Sequence, residues 1–343
     1  MMKIKMLAIA TSAAMLMLAN QAQAASGDTL AQVKKKGELQ CGVSDGLPGF
    51  SNPNAKGTWE GIDVEFCRAL AAGIFGDASK VKFIPLNAKE RFTALQSGEV
   101  DVLSRNTTWT LTRDATMGLS FDATLYYDGQ GFLVKKELGV KSAKELDGAS
   151  ICIQAGTTTE LNVSDYFKAN GMKFTPVVFD TSDQTVKGFE SGRCDVLTSD
   201  QSQLYALKIK LAKPDDAVVL PEVISKEPLG PAVRQGDEQW STLVKWTLFA
   251  LVNAEEYGVT SKNVDELKAS SKNPDVRRLL GLEEPTGKVL GLVPDWGYQI
   301  VKQVGNYGEV FDKTVGKGSP LGIARGVNAL WNQGGFMYAP PIR

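Results

Sequence analysis

Ser97-Gly98-Glu99-Val100-Asp101-Val102-Leu103-Ser104 is matched 94 positions later by Ser191-Gly192-Arg193-Cys194-Asp195-Val196-Leu197-Thr198. Each copy follows apolar residues at helical spacing, Phe92 and Leu95 in one case, Val186 and Phe189 in the other. Each Ser-Gly pair reads as a helix stop, and the apolar run after it as a buried strand. A second echo sets Gly37 four residues before Cys41 and Gly148 four before Cys152. Both cysteines fall in predicted strands, Leu39–Val43 and Ser150–Gln154. Two echoes in the same order predict two similar α/β lobes.

Further elements extend this frame. Gly61–Phe75 reads as a helix with Phe66, Leu70 and Phe75 on an apolar face. Val81–Pro85 follows as a strand and Ala88–Gln96 as a helix. Gly129–Val134 reads as an extended crossover into the second lobe, and Pro228–Val233 as the return. The first lobe then comprises residues 25–129 and 229–343, and the second residues 130–228. Trp240–Ala254 is a helix candidate. The tail Ser270–Arg343 exceeds what two minimal lobes need and reads as a partly irregular pad on the first.

The N-terminus has the build of an export signal over residues 1–24. Lys3 and Lys5 precede the apolar run Met6–Ala19, and Ala22-Gln23-Ala24 fits a small-x-small cleavage site. The run is too short for a comfortable membrane span. Export implies an oxidising compartment, which suits four cysteines with no CxxC pair. Four thiols allow three pairings. The echoes favour Cys41–Cys67 and Cys152–Cys194, one bridge in each lobe.

Composition narrows the chemistry. The chain has no histidine, which removes the commonest general base and metal ligand. Zinc hydrolysis and Ser-His-Asp catalysis are thereby disfavoured. A formal net charge of −1 leaves no basic footprint for nucleic acid. No phosphate loop or other cofactor signature is present.

Ligands of α/β sheets meet the carboxyl ends of strands, and three predicted ends carry suitable groups. Leu103 leads into Ser104–Asp114, where Asn106, Thr107, Thr108 and Thr110 precede Arg113. A guanidinium grips a carboxylate with two parallel bonds. Gln154 leads into Gly156-Thr157-Thr158-Thr159, whose N–H groups and hydroxyls suit an anion. Thr198 leads into Asp200, suited to an ammonium group. Simpler readings exist for each: a surface arginine, and helix caps at the threonines and at Asp200.

Several long stretches resemble one family. They are NAKERFTALQSGEVDVLSRNTTWTLTRD, CIQAGTTTELN, TSDQS, ISKEPLGPAVRQGD, VGNYGE and MYAPPIR. The chain is similar through them to the periplasmic amino-acid-binding proteins of ABC uptake systems, and more closely to the general L-amino acid binders. The resemblance implies a type II periplasmic-binding-protein fold: two α/β lobes joined by two crossover strands, with the ligand in the cleft. It implies that Arg113 holds the α-carboxylate, with Thr158 reaching it from the opposite lobe. Asp200 would take the α-ammonium, and Asn106 and Thr108 would surround the guest. Arg91 matches an arginine of relatives that bind acidic amino acids. Ser44 and Leu47, beside Asp45 and Phe50, stand where binders of basic amino acids often place an aspartate and an aromatic clamp.

The implied partners are an L-amino acid and an inner-membrane ABC permease, with no cofactor, in a periplasmic protein that needs no oligomer. Two alternatives stay open. An enzyme on the same fold, such as a dehydratase, would use Glu160 or Asp200 as acid and base, but no second catalytic group accompanies them. A sensory module would use closure to signal.

Overall fold

A computed structural model describes residues 28–283 and 286–343 of the 343-residue chain; the export signal read at residues 1–24 lies outside them. Two five-stranded sheets share one internal plan. Across the first run Val81–Leu86, Leu39–Ser44, Val102–Leu103, Ala232–Arg234 and Leu119–Phe121. Across the second run Thr175–Phe179, Ser150–Gln154, Val196–Asp200, Gln130–Lys135 and Ala217–Val219. In both, the first three strands are parallel and the fourth runs antiparallel to the third. Cys41 pairs with Phe83 and Val102, and Cys152 with Val177 and Leu197. The sequence echoes thus mark equivalent strands of two like sheets.

The second sheet shows how alternation builds its two layers. Phe132, Val134, Ile151, Ile153 and Val196 face Val163 and Phe167 of the helix Thr159–Ala169. Leu133, Cys152 and Leu197 face Val186 and Phe189 of the helix Ser182–Glu190. In the first lobe the helix Ile62–Phe75 is apolar nearly all round, so it must be covered on every side. The tail supplies the outer cover: the helix Trp296–Val304 packs along it. Trp296, Tyr307 and Phe311 of the tail join the first-lobe core. The tail is more helical than its sequence predicts, with helices at Pro274–Leu279, Thr286–Leu290, Trp296–Val304 and Tyr307–Thr314.

Each lobe carries one disulfide. Cys41–Cys67 joins a strand to the helix Ile62–Phe75, and Cys152–Cys194 joins a strand to the loop before Val196.

The strands Tyr126–Asp128 and Glu227–Leu229 run between the lobes as an antiparallel pair, Tyr127 opposite Pro228. This differs from the crossovers read at Gly129–Val134 and Pro228–Val233. Phe132, Leu133, Val134, Ala232 and Val233 are buried, which places them inside the sheets. The first connection ends before Gly129, and the second overlaps the read crossover only at Pro228 and Leu229. Glycine marks both junctions. A Cβ on Gly129 would lie 2.7 Å from the Ser225 carbonyl oxygen, and one on Gly230 would lie 2.3 Å from that of Ala123.

The tail also braces the first connecting strand. The Asn328 side chain accepts a bond from the Tyr127 N–H at 2.7 Å and donates to the Tyr127 carbonyl at 2.9 Å. It thereby acts as a one-residue neighbouring strand. The Tyr307 hydroxyl donates to the Leu125 carbonyl at 2.8 Å. Phe336 meets the Tyr127 ring edge-on at 5.5 Å. No described helix is long and apolar enough to cross a membrane.

Candidate functional site

The loop after Leu103 is polar yet buried, so each of its groups needs a partner. Asp63, in the first turn of the helix Ile62–Phe75, accepts bonds from the Ser104 hydroxyl at 3.0 Å and the Asn106 N–H at 2.9 Å. Asn106 adopts φ +36°, a left-handed turn that asparagine tolerates better than most residues. Arg105 donates from Nε to the Leu86 carbonyl at 2.9 Å. Thr108 bridges to Leu229, and the Trp109 N–H donates to the Pro228 carbonyl at 2.8 Å. The loop is therefore stitched to the second connecting strand.

Arg113 sits in the short helix Leu111–Thr116, capped by the Thr110 hydroxyl. Its Nη1 donates to the Thr108 carbonyl at 2.8 Å, and its guanidinium lies 5.1 Å from the centre of the Phe92 ring. Arg91 lies 4.7 Å from the same ring. Burial pushes Arg113 down to about 10, while the nearby carboxylates Glu227 and Asp200 oppose the shift. Burial pushes Arg91 well down too, and the guanidinium charges of Arg105 and Arg113 add to it.

From the second lobe, Thr158 precedes the helix Thr159–Ala169, and Asp200 precedes the helix Gln201–Lys208. Neither side chain caps its helix. The simpler reading of both side chains as helix caps therefore does not hold. The Thr158 hydroxyl donates to Glu227 at 3.0 Å. Asp200 is buried and accepts from the Gln203 amide. Burial raises its carboxyl well above the usual range, and the like charges of Asp128 and Glu227 raise it further. Asp128 is pushed up to about 6, chiefly by burial.

These groups line a small cavity of about 20 Å³. Arg91, Arg105, Asn106 and Thr108 line it from the first lobe, and Thr158 and Asp200 from the second. Arg113 stands behind this wall, on the Thr108 carbonyl. Two buried atoms on the cavity residues have no protein partner: Nε of Arg91 and Oδ1 of Asn106. The cleft is closed. Arg91 donates to the Gly156 carbonyl across it at 3.3 Å, Lys89 pairs with Asp180, and Lys210 donates to the Gly46 carbonyl at 2.7 Å.

Structure adds residues that the sequence reading passed over. Arg105 lines the cavity from within the quoted loop, and Glu227 lies buried beneath Thr108 and Thr158. A glutamate between Lys226 and Pro228 gives no local sign of burial. Leu47 and Phe50 belong to the core, with Phe50 against Tyr126 at 5.6 Å, and so form no clamp. The Glu160 carboxylate accepts from the Gly156 N–H of its own turn at 3.2 Å. No group of three or more metal-binding side chains occurs among the described residues.

Two α/β lobes closing on a polar cleft define a bilobal periplasmic-binding-protein fold. The chain belongs to the bacterial extracellular solute-binding proteins, family 3, whose model matches residues 39–263. It is 59% identical to the general L-amino acid-binding periplasmic protein of Rhizobium johnstonii over 344 residues, covering 100% of each chain. It is 54% identical to a glutamate/glutamine/aspartate/asparagine-binding protein of Rhodobacter capsulatus over 322 residues, covering 94% of this chain and 95% of that one. A solved ABC transporter periplasmic binding protein from Brucella ovis, with glutathione bound, matches with TM-score 0.91 and 59% identity. That match covers 92% of this chain and 100% of the other.

Proposed function

We propose that this protein captures L-α-amino acids in the periplasm, without chemical change, and delivers them to an inner-membrane ABC permease. One observation carries the reading. The closed cavity sets a buried carboxylate, Asp200, opposite buried guanidinium groups, and the nearest bond to Asp200 comes from a neutral amide. A guest with one positive and one negative end completes such a site. Arg113, one bond from the cavity wall through the Thr108 carbonyl, reaches past it to hold the α-carboxylate from the first lobe. Thr158 meets it from the second through its backbone N–H, its hydroxyl being committed to Glu227, at the N-terminal end of a helix whose first N–H groups lack helical partners. Asp200 takes the α-ammonium, with Asn106 and Thr108 around it. Arg91, with its unpartnered Nε, takes an acidic or amide side chain.

Binding at the first lobe followed by rotation of the second about the connecting strands gives the ligand contacts that exist only when the cleft is closed. The ligand thereby shifts the population toward closure. Residues 25–129 and 229–343 act as one lobe and residues 130–228 as the other. The chain works as a monomer after removal of residues 1–24, and recognises no nucleic acid.

A thermal-shift panel of all L-amino acids, several D-isomers and glutathione tests the reading. Glutathione belongs in it because its glutamyl end carries a free α-ammonium and α-carboxylate. Stabilisation by several L-amino acids and weak response to D-isomers is expected. Calorimetry should then show that Arg113→Ala and Asp200→Asn abolish binding, and every ligand should be recovered unchanged. A wild-type protein stabilised by no L-amino acid overturns the proposal.

A further inference from the structure

Glu227 is buried on the second connecting strand, where four donors converge on its carboxylate. Oε2 accepts from the Thr108 hydroxyl at 2.6 Å and from the Thr158 hydroxyl at 3.0 Å. Oε1 accepts from the Asn162 amide at 2.6 Å and from the Ser225 hydroxyl at 2.7 Å. Thr108 belongs to the first lobe, and Thr158 and Asn162 to the second. One carboxylate thus joins both walls of the cavity at the point where the chain crosses between them.

This bonding has a chemical consequence. A threonine hydroxyl has one proton and two lone pairs. An ionised glutamate can only accept, so it commits the proton of each hydroxyl that faces it. Thr108, on the wall of the cavity, is left with lone pairs for a guest and no proton. A hydroxyl in that state accepts from an ammonium group and repels a carboxylate. Asp200, across the cavity, is likewise an acceptor. Arg91 and Arg105, also on the wall, supply donors. The cavity therefore offers a guest both acceptors and donors.

We propose that Glu227 is a positioning residue that gives the cleft its polarity: by taking the hydroxyl proton of Thr108 it makes that oxygen an acceptor for the ligand ammonium, and by holding Thr158 and Asn162 as well it ties this preparation to closure. The proposal rests on the reading of the cleft as an amino-acid site. It assigns Glu227 an indirect part, acting through Thr108 without touching the ligand. Glutamine at this position keeps the shape but carries an NH₂ group. Whichever way that amide turns, either Thr108 and Thr158 or Asn162 and Ser225 face a donor instead of an acceptor.

Calorimetry with L-glutamate on four proteins tests it: wild type, Glu227→Gln, Thr108→Val and the double variant. Glu227→Gln should weaken binding at least about tenfold, and Thr108→Val by a similar factor. The double variant should bind within about twofold of Thr108→Val alone, because Glu227 acts through that hydroxyl. Losses that multiply overturn the proposal, as does a Glu227→Gln protein that binds like wild type. If Glu227→Gln does not fold, Asn162→Ala and Ser225→Ala serve. Each frees one lone pair of the same carboxylate, and each should weaken binding in wild type but not in the Thr108→Val background. Equal weakening in both backgrounds overturns the proposal. A wild type that binds no L-amino acid overturns the reading beneath it, whereas a binding wild type with multiplying losses overturns only the role of Glu227.

Discussion

Arg91 of the first lobe reaches the Gly156 carbonyl of the second at 3.3 Å while its Nε stays buried without a partner. Its remaining bond, to the Thr107 hydroxyl, is long at 3.4 Å. The guanidinium is thus held in place but under-satisfied, the condition in which an added acceptor contributes most.

Arg91→Met should therefore separate ligands by side chain. Charge-assisted bonds contribute about 1.5–3 kcal/mol each. Affinity for L-glutamate should fall about 10- to 100-fold, and affinity for L-alanine by less than about threefold, both read by calorimetry. The ligand-free variant should melt no lower than wild type, since a buried charge lacking good partners is removed. Equal losses for both ligands would place Arg91 at the shared zwitterion instead.

Binding should weaken as pH falls from 7 to 5. Asp128 titrates at about 6 in the ligand-free protein, and Asp200 is raised well above its ordinary value. A ligand ammonium beside Asp200 favours the ionised form of Asp200, and its field that of the neighbouring Asp128, so the complex holds fewer protons than the free protein. Affinity then rises with pH through this window and is lost as protons return. Calorimetry at pH 6 in two buffers of different ionisation enthalpy should report proton release on binding. Proton uptake would contradict the assignment of the ammonium to Asp200.

Asp63 makes the opposite kind of contribution to folding. Its carboxyl is raised to about 6, chiefly by burial, against an ordinary 3.8. The folded state holds the extra proton below about 6, so this stabilising contribution is full below the unfolded pKa and is lost as pH rises through the folded one. A shift of this size corresponds to about 3 kcal/mol. Urea denaturation from pH 4 to 7 should show a steeper fall of stability with pH in wild type than in Asp63→Asn.

The Cys152–Cys194 bridge spans 42 residues. Cys152→Ala/Cys194→Ala should lower unfolding stability by about 3–4 kcal/mol. Peptide mapping of the oxidised wild type should recover Cys41 joined to Cys67, and no bridge between the lobes.

The two-lobe plan was legible because it is written twice. Helix, Ser-Gly stop and buried strand recur at 97–104 and 191–198, and the strands so marked take the same place in each sheet. The segments after Leu103, Gln154 and Asp200 that line the cavity follow strands of this repeated frame. Arg105 and Glu227 were not legible, because their burial arises at long range. Glu227 is enclosed only when 227–229 pairs with 126–128 and Thr108 bridges to Leu229, contacts across about a hundred positions. The connecting strands were misplaced by a few residues because Gly129–Val134 is as extended and apolar as a connector. Its burial on both faces decides otherwise.

The Asn328 amide, paired to both backbone groups of Tyr127, leaves the door between the lobes hung on a stiff stile. The family match ends at residue 263, so this bracing comes from beyond the shared domain. With Leu125 and Tyr127 held by the tail, bending of this strand should fall at Asp128 and Gly129, which lack such bonds to the tail.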